Sequence, residues 1–238
     1  MSTEFAPTLI LTAEADFLPL ALDELRQTTP GAQTTPLADG VLLVSSKRSF
    51  LELAESWRKA PPIFMRHICP VQEVVSLRNK LNSDLAILRQ QVTDAILPLV
   101  DPELTFSVQT RILADLPYKP FDLNTPLAEI ISSSGAVLDV RAPQQILSVV
   151  CAALSDTPDP ANLADEGEAA RPEEDEAAST KPEARATGYV AYLGLSLAVH
   201  NLSNWAGGMR RFAREPDQVS RAEFKLLEAL ELFQIKLP

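Results

Sequence analysis

Glycine is scarce in this 238-residue sequence, which has eight glycines against nineteen prolines. No two glycines stand in G-x-G spacing and none precedes Lys-Ser or Lys-Thr, so the dinucleotide fingerprint and the phosphate-binding P-loop are both missing. The sequence therefore excludes a complete Rossmann-type cofactor site within these residues, and we expect this chain to hold no cofactor.

Cysteine and histidine are also rare, with two of each. Cys69 lies two positions from His67, but Cys151 and His200 form no second close pair, so the spacing of zinc ligands is absent. We expect two buried thiols in a reducing cytoplasm and no metal site.

Long apolar runs and a secretory signal are missing as well. The sequence begins MSTEFAPTLILTAEADF, with acidic residues where a signal peptide needs a basic start and then an apolar core. No stretch approaches the roughly 20 apolar residues of a membrane span. We expect a cytoplasmic protein with no membrane partner.

The formal net charge is −11, but most of it is concentrated in one segment. Residues 155–188 contain ten acidic and three basic residues, a net charge of −7, which leaves −4 for the rest. The segment is rich in Pro, Ala and Glu and has no aromatic residue, which predicts a disordered acidic insertion. A mimic of nucleic acid is the alternative interpretation. The negative total therefore does not exclude a nucleic-acid partner.

Alternating patterns over residues 1–75 predict a ferredoxin-like N-terminal domain. A β-α-β-β-α-β order is expected, with Asp39-Gly40 as a hairpin turn and with Ser49 and Glu52 as a capping box. The predicted elements are strand 8–12, helix 16–27, strands 33–37 and 41–44, helix 49–57 and strand 63–68.

Residues 76–200 predict a second domain with helices on one face of a sheet, giving an α+β protein overall. We expect a helix that begins at Thr125-Pro126 and stops at Gly135, and we place the acidic insertion between the last two strands. The other predicted elements are helix 84–100 and strands 104–113, 137–140, 146–152 and 189–197.

Residues 201–238 predict a linker with an exposed Trp205, followed by helix 220–233, which Ser220 and Glu223 cap. The apolar residues Phe224, Leu227 and Leu230 share one face of this helix. Another face carries the charged residues Arg221, Lys225 and Glu228.

Several segments resemble a THUMP domain, and residues 1–75 are similar to the ferredoxin-like domain that usually precedes one. Residues 220–226, Ser-Arg-Ala-Glu-Phe-Lys-Leu, resemble the Ser-Arg-Ala-x-x-Lys-Leu helix that leads into an FtsJ-like ribose 2′-O-methyltransferase domain. The THUMP-like segments are FSVQTRIL at 106–113, LAEIISSSGAVLDVRAP at 127–143, QILSVVC at 145–151 and GYVAYLGLS at 188–196.

Together the matches are similar to the THUMP-containing ribosomal-RNA 2′-O-methyltransferases. The resemblance implies ribosomal RNA rather than DNA as the partner, and S-adenosylmethionine as the cofactor of the complete enzyme; it leaves the oligomeric state open. The expected continuation, a strand ending in Asp-Leu-Gly-x-x-Pro-Gly-Gly, does not occur in this sequence. Residues 201–238 thus look like the linker and first helix of a truncated methyltransferase domain, inactive alone.

In that family, a Lys-Asp-Lys-Glu set surrounds the target ribose, and only its first member maps here, onto Lys225. A lysine with a lowered pKa can take the proton of a 2′-hydroxyl or stabilise its developing charge. The alternative is a solvated lysine beside Glu228 on an amphipathic helix.

Arginines near the predicted helix suggest a strip that contacts RNA phosphates, with Trp205 stacking on a base. A flexible, solvated linker is the alternative. Ordinary surface charge explains Lys47-Arg48, Arg58-Lys59 and Arg66 as well as an extended basic surface does. The residues of the strip are Arg210, Arg211, Arg214 and Arg221.

Three classes of function remain open at this stage. The first is the RNA-recruiting portion of a methyltransferase, and the second is a free-standing RNA-binding module without chemistry. The third is a protein-interaction module that uses the acidic insertion.

Overall fold

A computed structural model describes residues 6–154 and 188–208 of the chain. Residues 7–70 form a four-stranded antiparallel sheet in the order β2-β3-β1-β4, with two helices, and this is the predicted ferredoxin-like arrangement. The elements are β1 (Pro7–Ala13), α1 (Leu18–Thr28), β2 (Gln33–Ala38), β3 (Val41–Ser45), α2 (Phe50–Lys59) and β4 (Met65–Pro70).

Local signals in the sequence explain why these elements begin and turn where they do. Gly40 has a φ of 70° in the turn between β2 and β3, a backbone conformation that few other residues adopt. Ser49 caps α2: its hydroxyl accepts from the Glu52 N–H at 3.3 Å, and the Glu52 carboxylate accepts from the Ser49 N–H at 2.7 Å. Both predictions are confirmed.

Residues 73–197 contribute a second sheet in the order β5-β8-β7-β6. β6 and β7 run parallel, and the other neighbouring pairs are antiparallel. The helix predicted over 84–100 begins at Leu81. Beyond Gln91 it continues as a π-helical turn (Val92–Ile96) and then as a 3-10 turn (Leu97–Leu99). The elements are β5 (Glu73–Leu77), α3 (Leu81–Gln91), β6 (Phe106–Ile112), α4 (Pro120–Ser132), β7 (Gln145–Leu154) and β8 (Gly188–Leu197).

Two predictions in this part were wrong. Helix α4 begins at Pro120, not at Thr125-Pro126, because Pro120 stands in the first turn and the Asp122 carboxylate accepts the Lys119 N–H at 2.8 Å. Pro126 lies inside the helix, where burial of neighbouring apolar side chains offsets one lost hydrogen bond.

The strand predicted over 137–140 is only a single bridge between Phe106 and Leu138. Asp139 ends the pairing, since its carboxylate accepts from the N–H groups of Arg141 at 2.8 Å and Ala142 at 3.0 Å and turns the chain away from β6. These hydrogen bonds lower the pKa of Asp139, and the one from Ala142 has the larger effect.

The two sheets pack face to face, with their helices on the outer sides. Leu9 and Leu11 of β1 face the helices of the first sheet, whereas Ile10 faces the second sheet. Gly194 of β8 lies so close to β4 that a Cβ there would come within 2.3 Å of the Pro70 carbonyl oxygen. We call this contact between the sheets the seam; its buried apolar residues are Ile10, Val41, Cys69, Val150, Ala152, Val190 and Tyr192.

Among the described residues that pack on the second sheet, Asp84 has a fully buried carboxylate. Asp84 accepts from the backbone N–H groups of Arg78 at 2.6 Å and Lys80 at 3.0 Å, and from the Tyr118 hydroxyl at 3.0 Å. Burial and its neighbours raise the pKa of Tyr118. Because three protein donors satisfy its oxygens, Asp84 holds the start of α3 in place and is not exposed to a ligand.

Candidate functional site

Trp205 is the predicted site residue that the structure describes. It is half-buried, not exposed as the sequence suggested, and lies in a tight turn in which the Gly208 N–H donates to its carbonyl at 2.8 Å. Arg210, Arg211, Arg214, Arg221 and Lys225 lie outside the described residues, as do helix 220–233 and the interior of the acidic insertion.

Residues 201–208, here called the crossing segment, were predicted to be an open linker but are bound to both sheets. On the first sheet, the Asn201 carbonyl accepts the Ile68 N–H at 3.1 Å, and the Ser203 carbonyl lies 3.1 Å from His67 Nδ1. On the second sheet, the Gln109 side-chain amide donates to the Asn204 carbonyl at 2.7 Å. The segment therefore crosses the seam from β4 to β6.

The paired glycines explain how the crossing segment fits so closely. Gly207 and Gly208 have φ values of 65° and 72°, in the left-handed region that favours glycine. A Cβ on Gly207 would lie 2.7 Å from the Arg111 guanidinium carbon, and one on Gly208 would lie 2.7 Å from the Arg66 carbonyl oxygen. A side chain at Gly208 would clash with the β4 backbone, and one at Gly207 would displace the Arg111 guanidinium.

A polar cluster lies beneath the crossing segment. The Arg111 guanidinium donates to Thr12 Oγ1 at 2.6 Å and so joins β6 of the second sheet to β1 of the first. Burial, and then the Arg111 charge, lower the pKa of His67 to about 4, so His67 is neutral at pH 7. Since the Ser203 carbonyl can only accept, the proton of neutral His67 is on Nδ1.

The two cysteines are buried free thiols, as predicted. Burial raises the pKa of Cys69 to about 11 and that of Cys151 to about 12, so neither is a reactive thiolate at pH 7. Over residues 6–154 and 188–208, the His, Cys, Asp and Glu side chains form no cluster able to hold a metal ion. No helix in those ranges is long and apolar enough to cross a membrane.

Three other basic residues named from the sequence contact groups within the first 70 residues. Arg48 donates to the carbonyls of Thr28 and Glu52, each at 3.0 Å, and so ties the end of α1 to α2. Arg58 forms an ion pair with Glu55 at 3.1 Å, and Arg66 forms one with Glu14.

Glu55 also accepts from His200 at 2.9 Å, which ties the chain just before the crossing segment to α2. The hydrogen bond from His200, and then that from Arg58, lower the pKa of Glu55. On the same stretch of chain, the Ser196 hydroxyl donates a hydrogen bond to Asn201 Oδ1 at 2.7 Å. Contacts with α2 and with both sheets therefore hold the backbone in place from the end of β8 to Gly208.

Sequence reasoning missed the cluster because its members are far apart in the chain. Thr12, His67, Arg111 and Gly207 are brought together only when the sheets pack. The paired glycines were the available signal, since two adjacent glycines favour a close backbone approach as much as a flexible linker.

No family model and no curated protein matches the chain. Among solved structures, TrmN from Thermus thermophilus has 20% identity and a TM-score of 0.47 over 60% of this chain and 41% of its own. PH1313 from Pyrococcus horikoshii Ot3 has 11% identity and a TM-score of 0.44 over 81% of this chain and 55% of its own.

A 4-thiouridine synthetase, solved in complex with RNA and with bound ATP, has 13% identity and a TM-score of 0.41 over 81% of this chain and 42% of its own. The chain thus spans between 41% and 55% of these three solved chains. All three TM-scores lie below 0.5, so these likenesses establish no function for this chain.

Proposed function

We propose that this chain is the RNA-recruiting portion of an S-adenosylmethionine-dependent RNA 2′-O-ribose methyltransferase acting on ribosomal RNA. In this proposal the two sheets form a platform, and the crossing segment leads from it toward the catalytic domain. Lys225 is the catalytic residue, and the arginines that follow Gly208 contact phosphates.

The observation that carries the proposal is the anchored end of the crossing segment. Gly208 lies against the backbone of Arg66, and Gly207 lies over the guanidinium of Arg111. Arg210 follows Gly208 by two residues, so its Cα is within about 7 Å of this point, because consecutive Cα atoms are 3.8 Å apart. In this proposal the basic strip begins near Arg111 and near Arg66, whose charge is paired with that of Glu14.

A fixed starting point matters for recruitment. A strip on a free linker would sample many directions and lose entropy on binding, whereas one that starts from a bound backbone is partly pre-organised. In this proposal Trp205, which is half-buried in the same segment, stacks on a base of the bound RNA.

Binding to an in-vitro transcript of a ribosomal RNA domain tests the proposal. Log affinity should fall linearly with log salt, since arginine–phosphate contacts release counterions. The double variant Arg210→Ala/Arg211→Ala should reduce that slope by about one to two, because two phosphate contacts are lost.

The control is Arg78→Ala/Lys80→Ala, which removes the same charge from exposed side chains just after β5. β5 and β6 lie at opposite edges of the second sheet, so this control should leave the slope unchanged. Equal slopes for both double variants, or no RNA binding at low salt, would contradict the proposal that Arg210 and Arg211 contact RNA phosphates. Calorimetry should detect no S-adenosylmethionine binding by this chain alone.

The reading frame beyond Pro238 separates a methyltransferase from a free-standing RNA-binding module. Continuation into a glycine-rich S-adenosylmethionine loop supports the first, and a stop codon there supports the second. A folded chain that binds no RNA but captures a protein through residues 155–187 would support an interaction module instead.

A further inference from the structure

An apolar groove of about 500 Å³ lies beside β6, between α4 and residues 137–140. Several large apolar side chains around it are exposed: Phe121 is 75% exposed, Val140 64% and Leu138 48%. Its apolar lining is completed by Val108 and Ala128, and its polar rim consists of Asn124, Thr125, Glu129 and Ser132.

The groove exists because β6 is an edge strand whose pairing stops early. Residues 137–140 meet β6 only at Phe106, and the turn at Asp139 then carries the chain away. The space that a longer strand would fill next to Val108 is left open. Exposed apolar side chains grouped around such a space mark an interaction surface, whereas single ones do not.

We propose that this groove is the docking site for residues 220–233 of the same chain. That segment has the complementary pattern, with Phe224, Leu227 and Leu230 on one face at helical spacing. An amphipathic helix that lays its apolar face into an apolar groove is a common mode of recognition.

The path of the chain supports docking within one molecule. The described chain ends at Gly208, and four residues earlier the Asn204 carbonyl is bound to Gln109, the neighbour of Val108 in β6. The eleven residues 209–219 can span up to about 36 Å, ample to reach from one side of β6 to the other. A short connection gives the segment a high effective concentration at the groove.

Charge argues against RNA as the occupant of the groove. The exposed carboxylate of Glu129 lies on the rim of the groove. The same carboxylate and the apolar lining disfavour a polyanion. The inference does not rest on the proposed function, because the groove needs covering whether or not the chain binds RNA.

Disulfide trapping in the full chain tests the docking. Thr125 and Ser132 are exposed rim positions two turns apart on α4, and one or the other should approach Leu230 in either orientation of the docked helix. Thr125→Cys or Ser132→Cys, combined with Leu230→Cys, should form an intramolecular disulfide under mild oxidation. The buried native thiols Cys69 and Cys151 do not compete.

Ala229→Cys is the matched control, since Ala229 is adjacent to Leu230 in sequence but lies about 100° away around the predicted helix, nearly opposite Leu227. Trapping at Leu230 and not at Ala229 supports the proposal. Equal trapping at both, or none, overturns it. A disulfide-linked dimer whose yield rises with protein concentration also overturns it and identifies a second copy as the occupant.

Hydrogen exchange gives a measurement free of engineered cysteines. The double variant Leu227→Asp/Leu230→Asp should raise exchange of the amides around residues 137–140 at least tenfold, because it removes their cover. Unchanged exchange would overturn the docking. RNA affinity is measured separately. A failure of the proposed RNA contacts can therefore be distinguished from a failure of the proposed docking in the groove.

Discussion

His67 is held neutral inside the seam, where its side chain is 3% exposed and its pKa is lowered to about 4 by burial and then by Arg111. In the unfolded chain a histidine has a pKa of about 6.5. As pH falls below that value the unfolded state takes up a proton and the native state does not, so stability falls between about pH 7 and pH 4.

We therefore expect His67 to account for a loss of about 2 kcal/mol of unfolding free energy between pH 7 and pH 5. His67→Gln, which can still donate to the Ser203 carbonyl, should remove that part of the pH dependence. Urea unfolding of both proteins at the two pH values measures the difference. An identical pH dependence in the variant would show that His67 is not held neutral.

Gly194 is required by the close approach of β8 to β4. Gly194→Ala would place a Cβ within 2.3 Å of the Pro70 carbonyl, a backbone atom that cannot rotate away. We expect a loss of stability of about 1–3 kcal/mol, toward the upper end. Thermal or urea unfolding tests this.

Gly188→Ala in the same strand is the control. A Cβ there would meet a Leu154 side-chain carbon at 3.5 Å, an ordinary contact. Its stability should change by less than about 0.5 kcal/mol. If both variants were equally stable, the approach of the two sheets at Gly194 would be looser than described.

At the scale of elements, β7 and β8 form a ten-residue antiparallel ladder that runs from Gln145 paired with Leu197 to Leu154 paired with Gly188. Directly paired residues lie about 5 Å apart, so a tight turn can join Leu154 to Gly188. The thirty-three residues between them are not needed to bring these strands together.

Replacement of residues 155–187 by Asn-Gly should therefore leave a cooperative unfolding transition, with stability equal to or above that of the full chain. A shorter loop costs less closure entropy. Circular dichroism during thermal unfolding checks this, and loss of the cooperative transition would contradict the assignment of an insertion. If the segment competes with RNA through its charge of −7, its removal should also raise RNA affinity.

At the scale of the whole molecule, the crossing segment ties the two sheets together. The role proposed for Lys225 is testable in a longer protein that contains the proposed methyltransferase domain. Lys225→Met should lower methyl transfer by at least about 100-fold while RNA and cofactor binding persist, since a catalytic lysine acts chiefly in the transition state.

Lys225→Arg is the discriminating variant, because a guanidinium keeps the charge but cannot accept a proton. A rate restored by Arg would favour charge stabilisation over proton transfer. Methylation by Lys225→Met at the parent rate would instead favour the solvated lysine. In this chain alone, Lys225→Met should change stability by less than about 0.5 kcal/mol.

The sequence by itself determined most of the helices and strands, because their signals are local. The period of apolar residues, the Asp39-Gly40 turn and the Ser49 cap each act within a few residues, and together they predicted the ferredoxin-like order. Among the candidate site residues, Trp205 alone falls in the described part of the chain, so the roles of the arginines and Lys225 remain predictions.

Only the tertiary structure decided the features that depend on distant residues. Residues 137–140 have the composition of a strand, yet Asp139 turns them away from β6. β5, which was not among the predicted strands, pairs with β8 from more than a hundred residues away. Residues 201–208 looked like a linker but bind β4 and β6. Local propensity cannot report these outcomes, since each depends on which surfaces meet when the two sheets pack.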